Sequence, residues 1–197
     1  MSTSRSGDTF RVFDESFEGV LGRARNGSGQ ALRYLYDLLS PEVAGYLRVR
    51  GATDVGVATN EVFHRAFKRL DSFRGGESGF RSWVFTIANN FLIDEHRKRV
   101  RRPNVVASLD PVRHDLSGGD VETEAVERLA ANDVDALLQS LTEGQREVLH
   151  LRLIAGLTLA ETAEVLGRPV GAVKSLQHRA VEALRNKLEN SPYPVTR

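Results

Sequence analysis

Apolar residues recur at helical spacing along most of this chain, and that pattern predicts its elements. Leu32, Leu35, Leu38 and Leu39 form one stripe, followed by Val43, Tyr46 and Leu47. Val62, Phe63, Ala66, Phe67 and Leu70 form the next, then Trp83, Val84, Ile87, Ala88, Phe91 and Leu92. Pro41 after Ser40 suits the first position of a new helix, where its missing N–H costs nothing. No alternating run is long enough to predict a strand. Between Arg102 and about Val121 the periodicity lapses into Pro103, Asn104, Ser108, Pro111 and Ser117-Gly118-Gly119. The expected fold is therefore all-α. Two small helical domains, residues 10–102 and 124–190, are joined by a flexible linker over 103–123.

The second domain carries the sharpest local signature. Thr142-Glu-Gly-Gln145 and Thr158-Leu-Ala-Glu161 both match the reciprocal capping pattern that opens a helix. From Leu159 to His178 the spacing reads as a helix-turn-helix. Small Ala163 lets two helices cross closely, and Gly167 permits the left-handed turn that ends the first. Pro169 sits harmlessly before the second helix, which Val173 anchors in the core. Such a unit presents its second helix to the major groove of DNA. On that helix Lys174, Ser175, His178 and Arg179 fall largely on the face opposite Val173, Ala180 and Leu184. All four side-chain types can reach base edges or phosphates.

Composition agrees with a folded, non-membrane chain. It has 197 residues, 41% hydrophobic and 27% charged, with no apolar run that would span a bilayer and no secretory pattern behind Met1. The absence of cysteine excludes disulfide scaffolds, thiol catalysis and cysteine-based zinc sites. The expected compartment is the cytoplasm. Net charge is only +1, but its distribution is uneven. Arg97, Lys98, Arg99, Arg101 and Arg102 cluster without an acid among them. Asp110, Asp115, Asp120, Glu122, Glu124, Glu127, Asp133 and Asp135 then face only Arg113 and Arg128. From Arg168 onward the chain is basic again. Two basic blocks on helices, separated by an acidic stretch, suit a polyanion partner.

The segment Leu70 to Arg99 interleaves aromatic and basic residues around a glycine-rich loop, Gly75 to Gly79. Aromatic faces beside cations are what unpaired bases stack on. Phe67, Trp83 and Phe91 are assigned to the core, Phe73 and Phe85 to base contact. The loop lacks the Gly-Lys-Ser/Thr ending of a nucleotide-binding P-loop. His64, His96, His114, His150 and His178 show no metal-ligand spacing. Asp94-Glu95-His96 point in different directions on a helix and make a poor active site. No catalysis, metal or cofactor is expected.

Leu70-Asp-Ser-Phe-Arg-Gly followed by Phe80-Arg-Ser-Trp-Val-Phe-Thr-Ile-Ala-Asn-Asn is similar to the promoter-melting segment of bacterial RNA polymerase sigma factors. Leu141-Thr-Glu-Gly-Gln-Arg-Glu-Val-Leu149 through Leu184 resembles the domain that binds the minus-thirty-five element in that family. Both occur in the order and spacing of the two-domain extracytoplasmic-function group, from about residue 14 to 188. The resemblance implies core RNA polymerase and promoter DNA as partners, with an anti-sigma factor as a further candidate. It places Phe73, Phe85 and Asn90 in a pocket for a base flipped from the minus-ten element. Arg97 and Lys98, in the basic end of that helix, are assigned to the same element. Lys174, Ser175, His178 and Arg179 match minus-thirty-five contacts. Asp54, Asn60, Glu61 and Phe63 match the helix that docks on the polymerase. There the chain departs from the pattern, because Gly56 and Val57 replace acids usual in members.

Two other readings share some of these features. A two-component-type regulator has a similar Leu-Thr…Glu-Val-Leu start to its DNA-binding domain, but requires a receiver half with alternating strands. A sigma-like decoy with weakened core binding would fit the altered Asp54 to Glu61 segment.

Overall fold

Ser16, Ser28 and Asp54 each open a helix by accepting a hydrogen bond from the backbone N–H three residues on. The three partners are Gly19 at 3.3 Å, Ala31 at 3.4 Å and Val57 at 2.9 Å. The helices that follow are α1 (Phe17–Arg25), α2 (Gly29–Val49) and α3 (Val55–Lys68). A 3₁₀ turn, Leu70–Ser72, leads through a short loop into α4 (Glu77–Arg101). The second half comprises α5 (Glu143–Leu149), a π-helical turn (His150–Ile154), α6 (Leu159–Leu166) and α7 (Val170–Glu189). The computed structural model describes residues 16–101 and 140–189, and no strand occurs among them. The expected linker, 103–123, lies outside the described residues, as do residues 10–15 and 124–139.

One expectation fails at Pro41, which lies inside a continuous α2 rather than at the start of a new helix. Proline in a helix interior removes one hydrogen bond and crowds the preceding turn, at about 3 kcal/mol. Here Leu35, Leu39, Val43, Tyr46 and Leu47 are all fully buried on the two sides of Pro41. Burying such side chains is worth about 1.5–3 kcal/mol each, so continuity of the buried stripe prevails.

Helix α4 is the central element. Its buried residues, Phe80, Val84, Phe85, Ile87, Ala88, Asn89, Phe91 and Leu92, occupy several faces. They do so because α2, α3 and α6 all pack on it. The glycine-rich loop is shorter than expected, since Gly79 already lies in the first turn of α4.

The two halves share a core. Leu151, Ala155, Leu157 and Val165 of the second half belong to the same buried apolar cluster as the residues of α1 to α4. The second half also has its own centre, where Val148, Ala163 and Val173 meet.

Candidate nucleic-acid interface

The helix-turn-helix forms as its residues require. Thr158 and Glu161 complete a reciprocal capping box, as do Thr142 and Gln145. Gly167 ends α6 at φ 60°, a left-handed conformation that costs a β-carbon about 1–2 kcal/mol. Ala163 and Val173 are buried at the crossing. Arg152 secures the approach to α6 by bonding the Leu157 carbonyl and, at 3.2 Å, the amide oxygen of Gln177 on α7. Glu161 is held below its ordinary carboxylate range, first by the Thr158 backbone N–H at 2.7 Å.

This scaffold leaves Lys174, Ser175, His178 and Arg179 exposed along α7. The Ser175 hydroxyl donates back to the Gly171 carbonyl at 3.0 Å, and His178 lies 3.9 Å from Glu182. The structure thus brings together the four residues expected to face DNA.

The predicted base pocket is arranged differently. Phe85 is 0% exposed, with its ring edge-on to Tyr46 at 5.6 Å, and Phe73 is 5% exposed. Phe73 packs on Phe80 at 5.5 Å and on Trp83 at 5.1 Å. In this conformation neither Phe73 nor Phe85 offers a stacking face, because both rings fill gaps between helices. Trp83, assigned to the core, is only half-buried and is the more open ring. Gly75 explains why the loop needs glycine. Its φ is 142°, and a β-carbon there would lie 3.3 Å from the Phe73 ring. Arg25 braces the same loop, donating to the carbonyls of Phe73 at 2.6 Å and Leu70 at 3.3 Å.

Asn90, Arg97 and Lys98 are exposed on α4, Lys98 being 2.8 Å from Glu95. The neighbouring Asn89 is buried.

On α3, Asp54 caps the helix and Asn60 accepts from the Tyr36 hydroxyl at 3.2 Å. Glu61 pairs with Arg65 at 2.7 Å, which holds its carboxyl below the usual range. Phe63 is buried between Tyr36 and Phe67, so its part in any docking surface is to support the helix. Val57 is 64% exposed where the resemblance expects an acid.

Sequence reading missed a polar seam between the halves. The Tyr46 hydroxyl lies 3.2 Å from the Asn89 oxygen and 3.3 Å from a Glu147 carboxylate oxygen. Arg50 of α2 pairs with that buried carboxylate and reaches Glu143 at 3.5 Å, while Arg168 stands 3.7 Å from Glu147. Burial pushes the Tyr46 hydroxyl up to about 12, so it stays neutral. Two sequence signals were available: Glu147 sits beside the apolar pair Val148-Leu149, and Asn89 interrupts an apolar run.

Two family models match separate stretches of the chain. The family models described as Sigma-70 region 2 and Sigma-70, region 4 match residues 35–102 and 137–186. The sigma factor BldN of Streptomyces coelicolor is 35% identical over 173 residues, 86% of this chain and 64% of that protein. SigD of Mycobacterium tuberculosis is 30% identical, with 88% of this chain and 84% of SigD covered. The sigma-E factor of Escherichia coli is 31% identical over 86% of this chain and 93% of its own length. Among solved structures, CnrH in complex with the cytosolic domain of CnrY superposes with a TM-score of 0.61 at 27% identity. That match covers 90% of this chain and 100% of CnrH.

Proposed function

Because this chain belongs to the extracytoplasmic-function RNA polymerase sigma factors, we propose that its two halves divide promoter recognition between them. The α5 to α7 unit reads the minus-thirty-five element through Lys174, Ser175, His178 and Arg179. The observation that carries this assignment is their joint exposure on one helix whose opposite face is anchored by Val173 and Ala180. Helix α4 and its preceding loop serve the minus-ten element, with Asn90 and Trp83 reachable and Arg97 and Lys98 supplying positive charge. Phe73 and Phe85 join a base pocket only after the surrounding helices rearrange. Helix α3, through Asp54, Asn60 and Glu61, docks on core polymerase, and residues 103–123 form the linker.

The chain acts by binding and positioning, with no reaction of its own, in the cytoplasm where core polymerase works. No helix among the described residues is long and apolar enough to cross a membrane. By likeness to CnrH, which was solved with the cytosolic domain of CnrY, an anti-sigma protein is a further partner.

Run-off transcription with purified core polymerase on a promoter library tests this reading. Transcripts dependent on the chain are expected. Permanganate footprinting should show a smaller bubble for Asn90→Ala, with minus-thirty-five binding retained. Exposed Val57 in place of an acid supports a second reading, a decoy that grips the core weakly. A core pull-down without stable association would favour it.

A further inference from the structure

The loop that leads into α4 is tied down from a distance. Phe73 closes the 3₁₀ turn in an extended conformation (φ −67°, ψ 138°), so its carbonyl lies outside the helical ladder. Two guanidinium groups donate to that carbonyl, Arg25 at 2.6 Å and Arg74 at 2.8 Å. Arg74 is local, and its second bond, to the Asp71 carbonyl at 2.5 Å, stays within the turn. Arg25 arrives from the last turn of α1, 48 residues earlier, and its Nε also reaches the Leu70 carbonyl at 3.3 Å. Any cation would suit the end of α1, where the helix dipole is negative. Bridging both ends of the Leu70–Phe73 turn takes the rigid fork of donors that arginine carries and lysine lacks.

The Phe73 side chain passes this hold on to the open aromatic ring. It packs against Trp83 at 5.1 Å and Phe80 at 5.5 Å, and Phe80 in turn rests on Phe17 of α1 at 5.6 Å. Helix α1 thus grips the region twice, by backbone through Arg25 and by ring contact through Phe17. Its residues precede the stretch 35–102 that the region 2 model matches. Trp83 is half-buried, so the position of the Phe73 backbone decides how much of the indole face stays open to a base. Resting on the assignment of α4 and its loop to the minus-ten element, we propose that Arg25 is a positioning residue for base selection there. It touches no base. By fixing the Leu70 and Phe73 carbonyls it sets the width of the opening beside Trp83, and a fixed width excludes bases that a loose one admits.

Arg25→Met keeps the aliphatic stem and removes both donors. Trp83 is the chain's one tryptophan, so its fluorescence reports on the loop in the full chain. Acrylamide quenching is expected to rise about twofold in Arg25→Met, with helicity by circular dichroism unchanged. In complex with core polymerase, the wild type should prefer one base at one position of a single-stranded minus-ten oligonucleotide by about tenfold or more. Arg25→Met should reduce that preference to about threefold, while preferences at other positions and binding to a minus-thirty-five duplex stay within about twofold. Arg25→Lys, a point donor, should show a preference between the two. Wild-type preference at every position in Arg25→Met would overturn the proposal. So would an equal loss at all positions with helicity retained. Gly75→Ala reaches the same opening independently, since its β-carbon would press on the Phe73 ring at 3.3 Å. It should relax preference at the same position. If Arg25→Met loses helicity, this second variant decides, and wild-type preference in it would overturn the opening as the selector. No base preference by the wild type at any position would overturn the minus-ten assignment itself, whatever the Trp83 quenching shows.

Discussion

Asn89 supplies the hydrogen bond that the Val165 carbonyl cannot obtain within its own helix. Val165 lies in the last turn of α6, and the residue four positions on is Pro169, which has no N–H. The Asn89 amide fills that vacancy from the other half of the molecule at 2.8 Å, while its oxygen accepts from Tyr46 at 3.2 Å.

Replacing Asn89 by Asp removes the donor and sets a carboxylate against a carbonyl. Docking of the halves should weaken by about 1–3 kcal/mol. Energy transfer between labels on the two halves would read this directly. Duplex binding by α7 should be unaffected, and an unchanged closed population would remove Asn89 from the seam.

Acid should loosen the same contact through His150. Burial lowers its affinity for a proton, with nearby Arg48 acting in the same direction. The Glu42 carbonyl and carboxylate oppose this, and the neutral Tyr46 ring lies 6.0 Å away. A histidine lowered on docking favours the docked state fully above its free value of 6.5, and that advantage is lost as pH falls below it. The open fraction should therefore rise between about pH 6.5 and 5. His150→Gln should flatten that profile; a profile unchanged by this substitution would place the titration elsewhere.

Thr158→Ala should destabilise the helix-turn-helix by about 1 kcal/mol, lowering Tm by about 2–4 °C for a chain of this length with a shared core. It removes the hydroxyl at 3.2 Å from the Glu161 N–H and frees the Glu161 carboxylate of one partner. Thermal unfolding followed by circular dichroism measures the loss. A shift below one degree would mean that the reciprocal cap contributes nothing measurable.

On the recognition helix, Lys174→Ala should weaken binding by about 1–3 kcal/mol at one promoter position, as a lost base contact does. Arg179→Ala should weaken all sequences alike and lower the salt slope by about one, as a lost phosphate contact does. Binding across promoter variants and salt concentrations separates the two. Wild-type selectivity in both variants would remove this face from the DNA interface.

The helix-turn-helix was legible in the sequence because each of its devices is local. The Thr158–Glu161 box, left-handed Gly167 and buried Val173 all depend on residues a few positions apart. Continuity of α2 was less legible, since the cost of Pro41 is local but the burial that offsets it comes from neighbouring helices. Which aromatic rings are covered was less legible for a related reason. Helical spacing says that Phe73, Trp83 and Phe85 share a region, yet which ring is covered depends on where Tyr46 and Phe80 arrive from elsewhere. The seam was least legible, because pairs such as Tyr46 and Glu147 are 101 residues apart.

At Gly45, hydrogen stands where any other residue would carry a carbon 2.7 Å from the imidazole of His150. This position lies inside α2, away from every residue assigned to promoter or polymerase, and alanine there would favour the helix itself by about 1 kcal/mol. The single methyl group therefore acts as an adjusting screw. Mutation at one codon can reset how tightly the two halves dock without altering a single residue of the recognition helix.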